Sequence, residues 1–302
     1  MTAVRMCTFS GASSLPLLIA RQRGFFRAFG LDVDLTSTRS SDELMRGLVD
    51  GQFDIVHAAP DNYIAWRDRE GTDVVAWVGG ASGPIRLIAD PSIERPRDLA
   101  RRPIAVDAVA SGFVSVMRKI LRADGLADAD VELVELGSTQ LRFEALKEGR
   151  ASATMLTVPY SVLAMELGFR SLGDQRDVMP RLQGSCAGSM SSWLSAHPDL
   201  ADAYLRSICA SLTWLYTPGH EEEANTFIAD HYGIETRHAD EVRREIVDPV
   251  RGWSPSAMID PVGIETVCEL RRENGTPALL PPEAYYSFEP YRRVLGFGQA
   301  QG

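Results

Sequence analysis

The chain has 302 residues, of which 45% are hydrophobic and 24% charged, and its formal net charge at pH 7 is -10. This length suits one large or two medium domains with substantial cores, and the composition is that of an ordinary globular protein. The negative charge disfavours a role in binding nucleic acid or an anionic membrane surface.

The first ninety residues alternate between strand and helix patterns. Strands are predicted at residues 4–9, 31–36, 54–57, 74–78 and 85–89, and helices at 15–26, 42–49 and 61–70. Pro16 lies in the first turn of the first helix, where proline is favoured, and Ser41 is expected to cap the second helix. The order βαβαβαβ is typical of a mostly parallel sheet covered by helices.

The same alternation begins again near residue 97. Strands are predicted at 104–106, 131–136 and 153–156. One helix is predicted to open at residues 110–113 and run to 124, and another covers residues 140–147. After residue 172 the apolar spacing becomes helical, with helices predicted at 199–216, 221–232, 239–247 and 261–273. This helical tail is expected to pack back on the first half of the chain.

Two similar stretches lie about a hundred residues apart. Leu48 is followed by two residues and Gly51, and Leu146 by two residues and Gly149. Each glycine leads into a short buried strand whose end is rich in Ala, Thr or Pro. Two copies of one unit predict two similar lobes that face each other. Since ligands of open α/β sheets bind beyond the carboxyl ends of the strands, a cleft between the lobes is the predicted site.

Several short motifs also follow one another in a fixed order. In that order they resemble the nitrate/sulfonate/taurine and thiamine-pyrimidine-precursor group of type II periplasmic-binding-like proteins. The resemblance covers residues 4 to 175 and the helical tail in outline. The motifs are Leu15-Pro16-Leu17-Leu18-Ile19-Ala20, Gly24-Phe25-Phe26, Gly30-Leu31-Asp32-Val33, Leu48-(two)-Gly51-(two)-Asp54, Pro96-Arg97-Asp98-Leu99, Arg102-Pro103-Ile104-Ala105-Val106 and Leu146-(two)-Gly149.

The resemblance implies an α/β fold, a two-lobed clamp of type II. Each lobe would be a mixed, mostly parallel sheet flanked by helices, with a helical C-terminal tail. We expect lobe I to comprise residues 1–84 and 189–302, including the tail, and lobe II to comprise residues 85–188. The chain would then cross between the lobes twice.

The family places its ligand contacts in the loops that follow the strands, and the strand-end rule selects the same loops. By matching position these loops are residues 10–14, 39–41, 58–62, 110–113, 138–140 and 157–160. The candidate ligand-binding residues within them are Ser10, Ser13, Ser14, Arg39, Ser40, Ala59, Asn62, Ser111, Gly112, Phe113, Ser138, Thr139, Thr157 and Tyr160.

Some of these residues carry specific chemistry, and each also has a structural alternative. Ser111 and Gly112 begin a helix, whose free N–H groups and dipole favour a carboxylate, sulfonate or phosphate; the alternative is an ordinary serine cap. The guanidinium of Arg39 would suit a carboxylate or sulfonate, or is a solvated loop residue. Phe113 and Tyr160 could stack on a flat ligand or pack as part of a wall.

His57 and Asp61 are the candidate catalytic residues if the protein is an enzyme. Four residues apart, they could act as an acid and a base; alternatively, His57 is a hydrogen-bonded residue at a strand end. That enzyme would be a decarboxylase, desulfinase-like lyase or hydrolase of a small aromatic or heterocyclic acid. The desulfinase branch of the resembled group uses a cysteine at the end of the first strand, where this chain has residues 11–14.

The four cysteines are widely separated and form no CxxC or Cys/His spacing, so neither a metal nor a cofactor is expected. They are interpreted as buried free thiols, with Cys186 in a polar run as the least typical.

The first hypothesis is a non-catalytic solute-binding protein that closes by hinge motion on a small anionic or heteroaromatic ligand. The N-terminus shows no basic region, apolar segment or cleavage site, so a cytoplasmic location is expected for the sequence as written. If a leader was removed, the location would be periplasmic and a transporter permease would be a partner. No apolar run approaches about 18 residues, so no membrane insertion is expected. Fold alone does not separate a binding protein from an enzyme.

Overall fold

Two five-stranded sheets, each flanked by helices, make up the computed structural model, which describes residues 1–81, 83–109, 111–179, 181–250 and 252–296. The strand order is β2-β1-β3-β10-β4 in the first sheet and β7-β6-β8-β5-β9 in the second. The strands are β1 (Thr2–Phe9), β2 (Leu31–Thr38), β3 (Ile55–Ala58), β4 (Val74–Gly79), β5 (Arg86–Ala89), β6 (Pro103–Val106), β7 (Glu132–Glu135), β8 (Ala153–Leu156), β9 (Arg170–Asp174) and β10 (Cys186–Met190).

The helices cover the faces of both sheets and form the C-terminal tail. Together with the two mixed sheets they confirm the predicted fold class. The helices are α1 (Leu15–Gln22), α2 (Phe25–Ala28), α3 (Ser41–Val49), α4 (Pro60–Glu70), α5 (Gly112–Ala123), α6 (Thr139–Lys147), α7 (Tyr160–Glu166), α8 (Gln175–Val178), α9 (Ser191–Ala196), α10 (Pro198–Tyr216), α11 (Glu221–Tyr232), α12 (Thr236–Ile246), α13 (Pro261–Glu273) and α14 (Glu289–Leu295).

Each sheet contains one inverted strand. In the first sheet β1 pairs in parallel with β2 and β3, whereas β10 is antiparallel to both β3 and β4. In the second sheet β6 pairs in parallel with β7 and β8, and β5 is antiparallel to β8 and β9. The other four strands of each sheet therefore run in one direction, which confirms the prediction of mostly parallel sheets. Both inverted strands directly follow a crossing of the chain from one sheet to the other.

The repeated unit seen in the sequence is a helix, a tight turn and a strand, present once in each sheet. Gly51 and Gly149 end the turns after α3 and α6 with nearly equal φ values of 70° and 69°. Their N–H groups donate to the carbonyl groups of Leu48 and Leu146, both at 3.1 Å. Glycine adopts this left-handed conformation without steric cost, which explains its place at both turns.

Two predictions at helix starts and ends are wrong. The single helix predicted over residues 15–26 is two helices, because Gly24 is left-handed with a φ of 75° and starts α2 in a new direction. The cap of α3 is Ser40 and not Ser41: the Ser40 side chain accepts the Glu43 N–H at 3.2 Å while its own backbone is extended. Ser41 is the first helical residue.

The strand β10 was not predicted, because its residues are small and lack alternation. The missing side chain of Gly188 leaves room for the Tyr63 ring, since a Cβ atom there would lie 2.4 Å from a ring carbon. The Tyr63 hydroxyl lies between two carbonyl groups, 3.0 Å from that of Val56 and 2.9 Å from that of Cys186. Cys186 is therefore a buried strand residue, and the lobe boundary predicted at residue 188 falls inside β10.

The helical tail packs mainly on the first sheet. The long helix α10 contacts α1, α2 and β2, and buries Tyr204, Leu205 and Ile208 in this interface. Two tail helices also reach the second sheet, because α12 contacts α7 and α13 contacts both α4 and α5. The tail thus bridges the two halves of the molecule. Among the described helices, none combines the length and the apolar character needed to cross a membrane.

Candidate functional site

The loops at the carboxyl ends of the two sheets touch each other. The N–H of Ala12, after β1, donates to the carbonyl of Val158, after β8, at 3.4 Å. The N–H of Gly112, at the start of α5, donates to Oδ2 of Asp61, after β3, at 3.1 Å. These contacts bring together the loops that the sequence predicted to form the cleft walls.

Ser111 acts as a helix cap in the described structure. Its Oγ accepts the N–H of Val114 at 3.2 Å and donates to Oδ1 of Asp107 at 2.6 Å. The hydroxyl proton and one of its lone pairs are therefore used within the second sheet's own loop and helix. The N-terminus of α5 that was predicted to hold an anion is occupied by the carboxyl group of Asp61. Ala110, in the same predicted loop, lies outside the described residues.

Asp61 is partly buried between the two sheets, and its surroundings are mixed in charge. Burial raises the pKa of its carboxyl group to about 6; the nearby Arg271 opposes this rise and Asp107 adds to it. Nη1 of Arg271, from α13, donates to the main-chain carbonyl of Asp61 at 3.4 Å. Nε of Arg271 is buried and has no hydrogen-bond partner among the described residues. The site thus holds an acid whose proton is retained to an unusually high pH.

His57 points away from Asp61 and into the core of the first sheet. Its Nε2 is hydrogen-bonded to the hydroxyl of Tyr204 on α10, and its ring centroid lies 6.2 Å from that of Trp253. Burial lowers the pKa of His57 to about 3, so the ring is neutral at physiological pH. The structure therefore does not bring together the His57–Asp61 pair predicted for an enzyme, because the tail supplies His57 with a different partner.

The loop after β1 is held from behind by the tail. Ser14 is buried and its hydroxyl donates to the carbonyl of Gly11 at 2.7 Å, so it too is used locally. The hydroxyl of Tyr232 donates to the same carbonyl at 3.2 Å, and Nε1 of Trp253 donates to the carbonyl of Ser13 at 3.1 Å. Sequence reasoning missed Tyr232 and Trp253, because their role depends on how the tail packs.

Arg39 and Tyr160 approach each other from different sheets. Arg39 is exposed, and Tyr160 is half-buried, with its ring centroid 5.5 Å from that of Phe143. Burial raises the pKa of the Tyr160 hydroxyl, Glu144 raises it further, and Arg39 opposes the rise. Arg39 is thus close enough for its charge to act on the opposite wall. Both remain accessible to a ligand.

The other predicted residues lie in the same loops with mostly local partners. Ser138 caps α6 by accepting the N–H of Leu141 at 3.4 Å, and the Asn62 side chain donates to the carbonyl of Ala59 at 3.3 Å. Thr157 is half-buried, and its carbonyl accepts the N–H of Ser161 at 3.0 Å. Ser10 is exposed.

Arg142 is a further residue that the sequence did not single out. Its side chain is 2% exposed, and it donates to the Gly137 carbonyl at 3.0 Å and to Oγ1 of Thr139 and Thr154 at 3.1 and 3.3 Å. Its guanidinium lies 5.5 Å from the centroid of the Phe113 ring. Arg142 therefore holds the loop after β7 and the wall residue Phe113. A lone arginine in an amphipathic helix gives no signal of such burial.

A family model described as NMT1/THI5 like matches residues 12–218. The matched range is 207 of the 302 residues and includes the whole second sheet, the inverted strand β10 and the long helix α10.

One similar protein is distant in sequence. The chain is 25% identical over 243 residues to the bicarbonate transport ATP-binding protein CmpC of Synechocystis sp., which is 73% of this chain and 36% of that protein. It therefore spans about a third of that relative's length.

Two solved structures illustrate the similarity in fold. The periplasmic nitrate-binding protein NrtA from Synechocystis PCC 6803 has a TM-score of 0.81 and 12% identity, with 100% of this chain and 90% of that chain covered. The alkanesulfonate-binding protein SsuA from Xanthomonas axonopodis pv. citri, bound to MOPS, has a TM-score of 0.76 and 16% identity, with 93% and 95% covered.

Proposed function

Because this chain belongs to the NMT1/THI5-like family, we propose that it is a solute-binding protein that closes on a small anionic or heteroaromatic ligand between its two lobes. The observation that carries this proposal is the meeting of the two sets of strand-end loops, with Gly112 against Asp61 and Ala12 against Val158. A ligand enclosed between such loops would contact both sheets at once, so binding would be coupled to closure.

The ligand contacts we propose are those residues that keep accessible groups at the cleft. Arg39 and Tyr160 lie in loops of opposite sheets, where the charge of Arg39 acts on the Tyr160 hydroxyl, and Ser10 and Ser13 lie in the loop after β1. Ser14, Ser40, Ser111, Ser138 and Thr139 use their hydroxyl groups within the protein, so we assign them a supporting role in holding the loops.

The similar proteins support a transport role. Their names associate two of them with the binding of nitrate and of an alkanesulfonate, and the third with bicarbonate transport. We extend this to a transporter permease as partner and to a periplasmic location. Expression from the native gene, followed by fractionation of the cell, tests the location.

The enzyme alternative is not favoured. Its predicted base, His57, is buried, hydrogen-bonded to Tyr204 and neutral, and it makes no contact with the cleft residue Asp61. A ligand in the cleft would meet no histidine from β3.

Thermal unfolding with a panel of solutes tests the proposal. Nitrate, bicarbonate, alkanesulfonates and small heteroaromatic acids and amines would be titrated, and a true ligand at 100 times its Kd should stabilise the folded state by about 2.7 kcal/mol. Mass spectrometry should recover the ligand unchanged. Conversion of that ligand into a product would contradict the proposal.

Arg39→Ala tests whether Arg39 contacts the ligand, and Arg27→Ala is its control. Arg27 is also an exposed arginine, but it lies on α2, away from the carboxyl ends of the strands. We expect Arg39→Ala to weaken binding roughly 10-fold or more, as for the loss of one charged hydrogen bond, and Arg27→Ala to leave it unchanged. Equal affinities of the two variants would remove Arg39 from the site.

A further inference from the structure

The tail helix α12 lies across a contact between the two halves of the molecule. It contacts α7, which begins at Tyr160 in the cleft loop after β8, and the short helical turn of residues 12–14 in the cleft loop after β1. Val242 of α12 belongs to the apolar cluster in the core of the first sheet, together with Val158 and Val162 around the start of α7. A movement that separates the two cleft loops while it keeps this core intact therefore parts α7 from α12.

His238 of α12 lies in this contact without a hydrogen-bond partner. Its side chain is 8% exposed, and neither ring nitrogen is hydrogen-bonded among the described residues. Buried polar atoms are normally paired, because an unpaired atom keeps the full cost of losing its water. Nε2 lies 3.7 Å from Oε2 of Glu166 on α7, which is beyond hydrogen-bond distance. A neutral ring gains little from this contact, whereas a protonated ring would have an opposite charge directly across it.

The charged groups next to the ring carry an excess negative charge. Glu166 accepts Nη2 of Arg237 at its other oxygen, Oε1, at 2.8 Å, and Nε of Arg237 donates to Oε2 of Glu235 at 3.0 Å. These three residues together hold two negative charges and one positive charge. Glu241, exposed one turn further along α12, is a further acid. A proton on His238 would offset part of this excess.

The other charged residues of α12 pair away from the ring. On the side of α11, Asp240 pairs with the arginines at 243–244, and the amide group of Asn225 bonds within the same cluster. On the side of the second sheet, Glu245 pairs with Arg86. The turn after β1 contains only alanine and serine and adds no titratable side chain. The charge that a protonated ring would meet across the contact therefore comes from α7.

We propose that His238 and Glu166 form a pH-sensitive latch between the two lobes, in which a proton on His238 strengthens the contact of α12 with α7 and favours the closed clamp. The latch regulates the proposed binding site, so this inference rests on the proposed solute-binding function. Because closure is coupled to proton uptake, the latch tightens as the pH falls through the range from 8 to 5 in which histidine titrates. Through the latch, a bound solute is held more firmly at acidic pH and released more readily at alkaline pH.

Asp61 responds to pH in the opposite sense and has to be separated from the latch. Its carboxyl group accepts the Gly112 N–H from the other lobe, and burial raises its pKa to about 6. Protonation below that pH removes the charge and weakens this second contact. A comparison among variants that all retain Asp61 therefore isolates the contribution of His238.

Small-angle scattering of the protein without added solute, at pH 8 and at pH 5.5, measures the ratio of closed to open clamp. Glu166→Gln removes the partner charge at an exposed position, and His238→Gln removes the titrating ring. On acidification, this ratio should rise by roughly 3- to 5-fold more in the wild type than in either variant, as for a partly exposed ion pair. Loss of the Arg237 pair in Glu166→Gln shifts closure equally at both pH values, because neither arginine nor glutamate titrates in this range.

His197→Gln is the control. His197 is an exposed histidine before α10, where its ring packs beside Trp193, and it titrates without facing α7. This variant should keep the pH response of the wild type. Circular dichroism melts at both pH values confirm that each variant is folded.

The outcomes separate the latch from solute binding, because the scattering needs no ligand. A pH response that is reduced in Glu166→Gln and His238→Gln but kept in His197→Gln supports the latch. Equal responses of the wild type and Glu166→Gln overturn it and leave solute binding in place. Failure of every solute in the thermal-unfolding panel contradicts the binding proposal, and with it the regulatory role of the latch.

Discussion

Asp61 and His57 are four residues apart, and burial shifts their pKa values in opposite directions. The pKa of Asp61 is raised to about 6 by burial between the sheets, and that of His57 is lowered to about 3 by burial in the first core. Since the unfolded chain has ordinary values for both, each shift makes stability depend on pH. Lowering the pH from 6 to 4 stabilises the fold through Asp61, which takes up a proton only when folded. The same change destabilises it through His57, which takes up a proton only when unfolded.

Asp61→Asn should uncover the contribution of His57. The two effects are each worth roughly 2 kcal/mol between pH 6 and 4, so in the wild type they largely offset one another. Without Asp61, the free energy of unfolding should fall more steeply over this range, by about 2 kcal/mol more than in the wild type. Urea denaturation at pH 6 and pH 4 measures this difference. A variant with the pH profile of the wild type would show that Asp61 is not buried as described.

At the scale of elements, the position of β10 in the first sheet is set by a contact between its own Gly188 and Tyr63 of α4. Gly188 leaves the space that the Tyr63 ring fills, and the Tyr63 hydroxyl lies between the carbonyl groups of Val56 and Cys186. The inverted strand is thereby fixed to β3, its neighbour in the first sheet. Any side chain at residue 188 would force the ring or the strand to move.

Gly188→Ala should therefore destabilise the protein strongly for so small a change. We expect a loss of about 2–3 kcal/mol, as for overpacking of a well-filled core. Gly11→Ala is the control, because its φ is -79° and an added Cβ would meet only the Ser13 hydroxyl oxygen, at 3.9 Å. Chemical denaturation compares the two, and similar small losses would mean that the space at Gly188 is not limiting.

The sequence predicted most elements, and failed where packing decides the outcome. Short apolar runs between turn residues identified eight of the ten described strands. The other two, β9 and β10, have polar or small residues and acquire their strand form from neighbours. Two pairs of the predicted cleft loops touch across the sheets, Ala12 with Val158 and Gly112 with Asp61, while their role in ligand binding stays a prediction. That Asp61 occupies the start of α5 could not be predicted, because spacing along the chain does not show which residues of opposite loops touch.

At the scale of the whole molecule, ion pairs among the described residues connect the tail to helices and strands of the second sheet. Arg86 on β5 pairs with Glu245 on α12, Lys119 on α5 with Glu273 on α13 at 3.0 Å, and Arg237 on α12 with Glu166 on α7 at 2.8 Å. The first is largely buried, with side chains 15% and 17% exposed, while the others are open to solvent. Burial also raises the pKa of Glu245, and Arg86 opposes the rise. If the two halves move apart, these ion pairs must either break or the tail helices must move together with the second sheet.

The buried Arg86–Glu245 pair should contribute more to the free energy of unfolding than the exposed Lys119–Glu273 pair. Glu245→Ala leaves Arg86 partly buried without its carboxylate, so we expect a loss of about 2 kcal/mol. Glu273→Ala removes a solvated pair and should cost less than about 1 kcal/mol. Denaturation midpoints test the order, and small-angle scattering shows whether Glu245→Ala also opens the clamp. Equal effects would indicate that burial of the Arg86 pair contributes little.

The interrupted strand order has a consequence for how the protein is made. Among the described strands of its sheet, the edge strand β4 bonds to β10 alone, and β10 is synthesised more than a hundred residues later. All five described strands of the second sheet lie within residues 86–174. During synthesis the second sheet can therefore assemble from a continuous length of chain. The first sheet stays incomplete over this time, because β4 has not yet paired with β10. Closing so long a loop is entropically more tolerable once its interior is already folded. The nested half should thus form first and present β10 for insertion between β3 and β4.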